Sequence, residues 1–140
     1  MRNKPLLTII TPVYNGERYI AETIDSVLNA QIDIIYEYIV LDDGSTDLTS
    51  NILSNYRDQV KIFSHRNIGE SATVNRGIEN AKGDYILIVN ADDPLLTRDL
   101  ISKAYKILIN DASVVAIYPD WKIIDQFGKT IRNRILPDYS

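Results

Sequence analysis

The chain has no cysteine, which excludes disulfides and thiolate-bound metals and suits a reducing compartment. It has no apolar run near the ~20 residues needed to cross a bilayer. Met1-Arg2-Asn3-Lys4-Pro5 leads straight into an apolar segment, without the apolar core and cleavage site of a secretory leader. Runs of Lys and Arg are also missing. With a formal net charge of -4 and with Arg66, Arg76, Lys82, Arg132 and Arg134 scattered as solvated surface charges, no stripe is offered to a nucleic-acid backbone. There is no P-loop and no GxGxxG motif. The one histidine, His65, has no nucleophile-elbow motif to serve and reads as a packing or surface residue. These absences predict a cytoplasmic chain with no nucleic-acid partner and no membrane span.

What is present suits one domain. Its 140 residues are 45% hydrophobic and 24% charged, ordinary values for a globular protein that buries roughly two-thirds of its unfolded surface. Leu6–Thr11 is a nearly continuous β-branched run, the pattern of a strand covered on both faces. Ile20, Ile24, Val27 and Leu28 mark one face of a helix. Strands are predicted at Ile34–Leu41, Val60–Phe63, Tyr85–Val89 and Val114–Tyr118. The intervening helices carry Leu48, Ile52, Leu53 and Tyr56; then Val74, Ile78 and Ala81; then Leu100, Ile101, Ala104, Tyr105, Leu108 and Ile109. Their expected caps are Ser45 or Thr46, Ser71 and Thr97, and Gly83 is the expected stop of the third helix. Trp121–Ile131 reads as a β-hairpin turning near Gln126-Phe127-Gly128. Strictly alternating strands and helices imply right-handed crossovers and a mostly parallel sheet with helices on both faces, followed by the hairpin.

Two acidic pairs stand just past strand ends: Asp42-Asp43-Gly44-Ser45 after the second and Asn90-Ala91-Asp92-Asp93 after the fourth. Either alone is a common turn or helix cap. Together, at the edge where parallel strands of an open α/β sheet end and ligands bind, they need a cation. A divalent metal carrying a phosphorylated ligand is the natural choice, since hard cations take oxygens from carboxylates and phosphates alike. Tyr14, after the first strand, can stack on a base. The Gly and helix-capping Ser of Asn67-Ile68-Gly69-Glu70-Ser71 permit backbone N–H groups to approach a phosphate.

In this order, Ile9-Ile10-Thr11-Pro12-Val13-Tyr14-Asn15, Val40-Leu41-Asp42-Asp43-Gly44-Ser45-Thr46-Asp47, Asn67-Ile68-Gly69, Asn75-Arg76-Gly77, Gly83-Asp84-Tyr85 and Asn90-Ala91-Asp92-Asp93 resemble the inverting family 2 glycosyltransferases of GT-A fold. The resemblance implies a Rossmann-like (GT-A) sheet with the fourth strand beside the first. It implies that residues 1–140 form a single nucleotide-sugar-binding domain truncated on its acceptor and base side. It further implies binding of a nucleotide-sugar donor, usually a UDP-sugar, through Thr11, Pro12, Tyr14, Asp42, Asp43, Asn67, Asn90, Ala91 and Asp93. Asp92 would ligate Mn2+ or Mg2+. The acceptor would be a carbohydrate or lipid-linked hydroxyl in polysaccharide synthesis, with the full-length protein peripheral at the inner face of the membrane.

Two positions depart from the family pattern. Asn90 stands where the first Asp of the DxD motif is usual, and no segment matches the one that supplies the catalytic base. Asp120 and Asp125 align with other positions. The competing expectation is a non-catalytic nucleotide-sugar-binding or interaction module. A phosphoacceptor receiver domain fits worse, because its fifth strand would end in Lys-Pro and here Tyr118-Pro119 occupies that place.

Overall fold

Leu7-Thr8-Ile9-Ile10-Thr11-Pro12-Val13 is buried at every position, which a strand achieves only when it is central in a sheet covered on both faces. In the computed structural model, which describes residues 4–125 and 127–134, this run is β1 (Leu7–Val13). It lies between β2 (Tyr36–Asp42) and β4 (Tyr85–Ile88), with β3 (Lys61–Ser64) outside β2, and all neighbours run parallel. The sequence order 3-2-1-4 puts the switch in winding direction at β1, as expected from the resemblance.

Ladder lengths differ on the two sides of β1. It pairs with β2 from Leu7↔Tyr36 to Val13↔Asp42, but with β4 only from Leu7↔Tyr85 to Ile10↔Ile88. Residues of a parallel strand face alternate neighbours. The Ile10 carbonyl accepts from Val89 and the Val13 carbonyl from Asp43, so Pro12 faces the β4 side beyond the end of that ladder. Its missing N–H therefore costs no sheet hydrogen bond.

Helices α1 (Ile20–Leu28) and α2 (Thr49–Ser54) contribute Ile20, Ile24, Val27 and Leu53 to one face, where they join Leu7, Ile9, Val13, Tyr38, Val40 and Ile101. The opposite face is the smaller cluster Ile10, Ile39 and Leu41. Helix α3 (Glu70–Asn80) lies there and buries Thr73 and Gly77. The expected face was Val74, Ile78 and Ala81; Ile78 is instead exposed. Close approach explains this rotation by one position. A Cβ on Gly77 would stand 2.7 Å from Ile10 Cγ2 and 3.1 Å from Leu41 Cδ1, so the residue without a side chain turns toward the sheet.

Caps differ from expectation as well. α2 begins at Thr49 and α3 is preceded by Gly69, neither with a capping side chain; Ser45 and Thr46 bond the loop after β1 instead. Helix α4 spans Leu100–Asn110.

Two compact units divide between Ser102 and Lys103. The sheet belongs to the first. In the second, Val114–Tyr118 is not a strand, contrary to expectation. Val115 is 93% exposed, and a β-branched run becomes a strand only where a partner strand accepts its backbone. The hairpin forms as β5 (Trp121–Ile124) and β6 (Thr130–Arg134). Gln126, part of the expected turn, lies outside the described residues.

One carboxylate ties the first unit together. Buried Glu37 accepts at Oε1 from Thr8 Oγ1 (2.8 Å) and the Lys82 amide (2.6 Å), and pairs with Lys61 at Oε2. The Gly83 amide in turn donates to Thr8 Oγ1 at 2.9 Å. Burial pushes the Glu37 carboxyl up, but the hydrogen bonds from Lys61, Thr8 and Lys82 outweigh it and hold the group below its ordinary 4.5. A carboxyl lowered in the folded state stabilises above its unfolded pKa, and that contribution is lost as pH falls through the folded value. Glu37→Gln is therefore expected to cost about 1–3 kcal/mol at neutral pH. Urea denaturation of both proteins should show the gap closing as pH drops below about 4.5, and a gap independent of pH would contradict this role.

Candidate functional site

The ends of β1, β2, β3 and β4 deliver four loops to one edge of the sheet; side chains fasten the first three to each other and the fourth to helix α1. Asn15, at φ +50, donates its amide to Ser45 Oγ (2.9 Å) and accepts the Thr46 amide at Oδ1 (2.8 Å). Gly16 N donates to Thr49 Oγ1 at 2.9 Å. Glu17 bonds the start of α2 twice over: Asp47 Oδ2 accepts the Glu17 amide (3.1 Å) and Glu17 Oε2 accepts the Leu48 amide (2.8 Å). Desolvation raises the Asp47 carboxyl, yet bonds from Thr49 and the Glu17 amide leave it below the usual range. Gly44 is at φ +72, and a Cβ there would be 2.7 Å from Asn67 N. Glycine thus serves this turn twice, for its backbone angle and for its size.

The two acids after β2 differ in role. Asp42 is buried, and its oxygens accept from the Ser45 amide (2.9 Å) and Ser50 Oγ (2.8 Å). It shapes the turn into α2. Asp43, also buried, clasps the loop before α3: Oδ1 accepts the Ile68 amide at 2.7 Å and Oδ2 the Gly69 amide at 2.9 Å. His65 Nδ1 stands 3.3 Å from Asp43 Oδ1 and 2.9 Å from the Arg66 carbonyl. Facing two acceptors, Nδ1 carries the ring proton, while the buried Nε2 has no partner among the described residues. The sequence reading treated His65 as packing or surface; it is in fact packing, beside one of the candidate site carboxylates.

After β4 the arrangement is open. Asn90, Asp92 and Asp93 are exposed and Ala91 is half-buried. Asn90 Nδ2 donates to Asp93 Oδ2 at 3.1 Å, and the Asp93 amide to the Asn90 carbonyl at 3.0 Å. Helix α1 holds this turn from below: Thr23 Oγ1 donates to the Ala91 carbonyl (2.7 Å) and Ser26 Oγ accepts the Leu95 amide (3.0 Å). Asp92 has no hydrogen-bond partner among the described residues.

Of the other expected site residues, Tyr14 stands 52% exposed at the lip of β1, and Asn67 is exposed. Pro12 is buried in β1. Thr11 is buried too; its Oγ1 lies 2.9 Å from Tyr38 Oη, whose phenol burial pushes up to about 12. Its side chain belongs to the core, and a ligand would meet only its strand. Missed by sequence reasoning were Asn15, Glu17, Thr23 and Ser26, polar residues in turns or on a helix flank, whose only signal is proximity to a strand end.

Among the described residues no three His, Asp or Glu side chains converge on one point. A metal enclosed by protein does not fit. The uncommitted Asp92 carboxylate, with Asp93 beside it, does fit a hard divalent cation whose remaining positions are phosphate oxygens and water.

The profile of the family described as Glycosyl transferase family 2 matches residues 8–137. An uncharacterized glycosyltransferase of Haemophilus influenzae is 36% identical over 134 residues, 93% of this chain and 52% of that protein. Another from Rickettsia typhi is 41% identical over 123 residues, 87% of this chain and 38% of the other. Among solved structures, S. aureus TarS 1-349 in complex with UDP-GlcNAc superposes with a TM-score of 0.65 at 26% identity, covering 74% of this chain and 31% of that one. The mannosyltransferase PcManGT from Pyrobaculum calidifontis, in complex with GDP-Man and Mn2+, gives 0.64 at 25% identity, covering 76% and 33%. The chain spans about half the length of these relatives, or less.

The Asp43 clasp has a measurable consequence. Asp43→Asn turns an NH2 group toward one of two backbone N–H groups, a loss of about 1–3 kcal/mol. Exchange of the Ile68 and Gly69 amides should quicken by about tenfold or more on local opening. Unchanged exchange at both would mean that the carboxylate does not hold the loop.

Proposed function

The chain belongs to glycosyl transferase family 2, and from that premise we propose that it binds the donor in a transfer of sugar from a nucleoside-diphosphate sugar to an acceptor hydroxyl with inversion. A single observation carries this reading. At the edge where β1 and β4 part, the half-exposed Tyr14 and the uncommitted Asp92 belong to loops following these two strands. One loop suits the flat, apolar part of a nucleotide and the other its charged part.

In this proposal Tyr14 stacks on the base. Asp43 keeps lone pairs beyond those given to Ile68 and Gly69, and one of them receives a base N–H. Backbone of Thr11 and Pro12 walls the base pocket, with Asp42 shaping its turn and Asn67 at its rim. Asn90 bonds the ribose, its amide replacing the carboxylate usual there. Asp92 holds Mn2+ or Mg2+, which supplies neutralisation of the charge that gathers on the departing diphosphate. Ala91 and Asp93 border the sugar and phosphates. The acceptor oxygen bonds to the anomeric carbon from the face opposite the nucleoside diphosphate, whose bond to that carbon breaks, and the configuration inverts. The hydroxyl proton passes to a general base that is not assigned among these residues. TarS bound to UDP-GlcNAc supports a uridine donor, PcManGT bound to GDP-Man a guanosine one; we place UDP first because the resemblance leans to uracil.

A second reading, a nucleotide-sugar-binding module without turnover, draws on Asn90 and on the absence of an assignable base among the described residues. Binding separates the site from the chemistry. Isothermal titration of UDP and of GDP, with and without Mn2+, is expected to show affinity that rises with the metal. In Asp92→Asn that metal-dependent gain should fall by at least about tenfold, the loss typical of a group supporting a metal site. A gain that persists in the variant would remove Asp92 from the assignment.

A further inference from the structure

His65 occupies a place that an apolar ring would fill more favourably. Its side chain is only 10% exposed, and its buried Nε2 has no hydrogen-bond partner among the described residues. An unpaired buried polar atom is destabilising, and where a local rule is broken in this way, function is the usual compensation. What a phenylalanine here would lack is the other nitrogen. Nδ1, which carries the ring proton, lies 2.9 Å from the Arg66 carbonyl and 3.3 Å from Asp43 Oδ1.

Asp43 is the carboxylate that receives the base in the function proposed above, and the inference rests on that reading. An ionised carboxylate has about four lone-pair sites, two on each oxygen. Oδ1 accepts the Ile68 amide at 2.7 Å and also faces His65 Nδ1, whereas Oδ2 accepts the Gly69 amide at 2.9 Å. Among the described residues three N–H groups thus face the carboxylate, and the site left open is on Oδ2. One short loop, between Ser64 and Glu70, supplies all three. The His65 amide itself donates to the Asp42 carbonyl at 3.1 Å, so the ring is carried by a residue still tied to β2.

Bases differ in how many adjacent donors they bring to such a group. Uracil has a single ring N–H between two carbonyls. Guanine has a ring N–H beside an amino group, a pair that fits a carboxylate with both oxygens open. Against Asp43 as His65 leaves it, guanine would bury one of its two donors unpaired, while the one donor of uracil is met.

We propose that His65 is a positioning residue for base selection: by engaging Asp43 Oδ1 it leaves one open acceptor, on Oδ2, and so selects uridine over guanosine donors. Without the ring proton, Oδ1 regains a lone pair and the carboxylate can serve both donors of guanine.

Two variants divide the ring from its proton. His65→Phe keeps the ring and removes the donor, whereas His65→Asn keeps a side-chain N–H near the place of Nδ1 and gives up the ring. The whole chain is titrated with UDP, GDP and inorganic pyrophosphate, each with Mn2+. The unaltered chain is expected to favour UDP over GDP by at least about tenfold, the worth of one hydrogen bond. His65→Phe should melt no lower than the unaltered chain yet lose most of that preference. His65→Asn should melt lower and keep it. Pyrophosphate reads the metal side alone and should bind all three proteins alike.

A preference that survives in the Phe variant, or that vanishes equally in both, overturns the proposal. So does equal binding of UDP and GDP by the unaltered chain, which would leave the donor site itself standing. Binding of neither nucleotide overturns the donor site and this selection with it. The ring's own signals test the same point without a variant. His65 is the only histidine, so its ring nitrogens give one pair of 15N resonances. They should place the proton on Nδ1, and UDP should move that signal while pyrophosphate leaves it; a proton on Nε2, or no response to bound UDP, refutes the assignment.

Discussion

Backbone groups at the ends of parallel strands have lost their ladder partners, and those drawn inside must be satisfied by something. At this edge the partners are short polar side chains from adjacent loops and from helix α1. Asp43 takes the amides of Ile68 and Gly69, Asn15 takes that of Thr46, and Thr23 reaches the carbonyl of Ala91. Each bond is modest by itself. Because each joins a different pair of segments, two pairs of loops and one loop with helix α1, the set ties these segments to one another. A ligand site placed here inherits that order without ordering it anew, which lowers the entropy cost of binding.

Division of labour between neighbouring acids follows from the same constraint. Asp42 and Asp43 are adjacent in sequence and equally buried, yet one shapes its own turn and the other clasps a distant loop. Asp92 and Asp93 repeat the pair in an exposed turn, where nothing among the described residues hydrogen-bonds the first and an amide holds the second. Buried carboxylates set geometry, while the open one keeps its lone pairs. An oxygen that already accepts a backbone N–H has less to offer a cation than one left open.

The positions of β1 to β4 and their parallel order were legible in the sequence, because continuous β-branched runs and helical spacing are local signals, while the place of β4 beside β1 followed from the family resemblance. The face of α3 was not. Its periodicity points to Val74 and Ile78, and only the tight approach at Gly77 turns Thr73 inward. Val114–Tyr118 has strand composition but no strand to pair with, a fact about the fold and not about the segment. In the candidate site, the motifs gather at one edge of the sheet, yet residue type does not reveal direction. Thr11 points into the core and bonds Tyr38, Tyr14 faces out, and Glu37, a single charge inside an apolar strand, proves to be the hub of four hydrogen-bonding partners counting Gly83 through Thr8.

The unequal ladders on the two sides of β1 give the sheet the mechanics of a tuning fork. One tine, β2, is bonded along the full length of β1, and the other, β4, comes loose past Val89. Spreading the tines breaks no further sheet bond. It strains the attachments of Thr23 and Ser26 to the loop after β4 instead, so the stiffness of this gap resides in a helix behind it. Exchanges at these two positions would alter how readily the gap yields while leaving the exposed side chains at this edge in place, so the spring can be retuned from behind without touching the surface it supports.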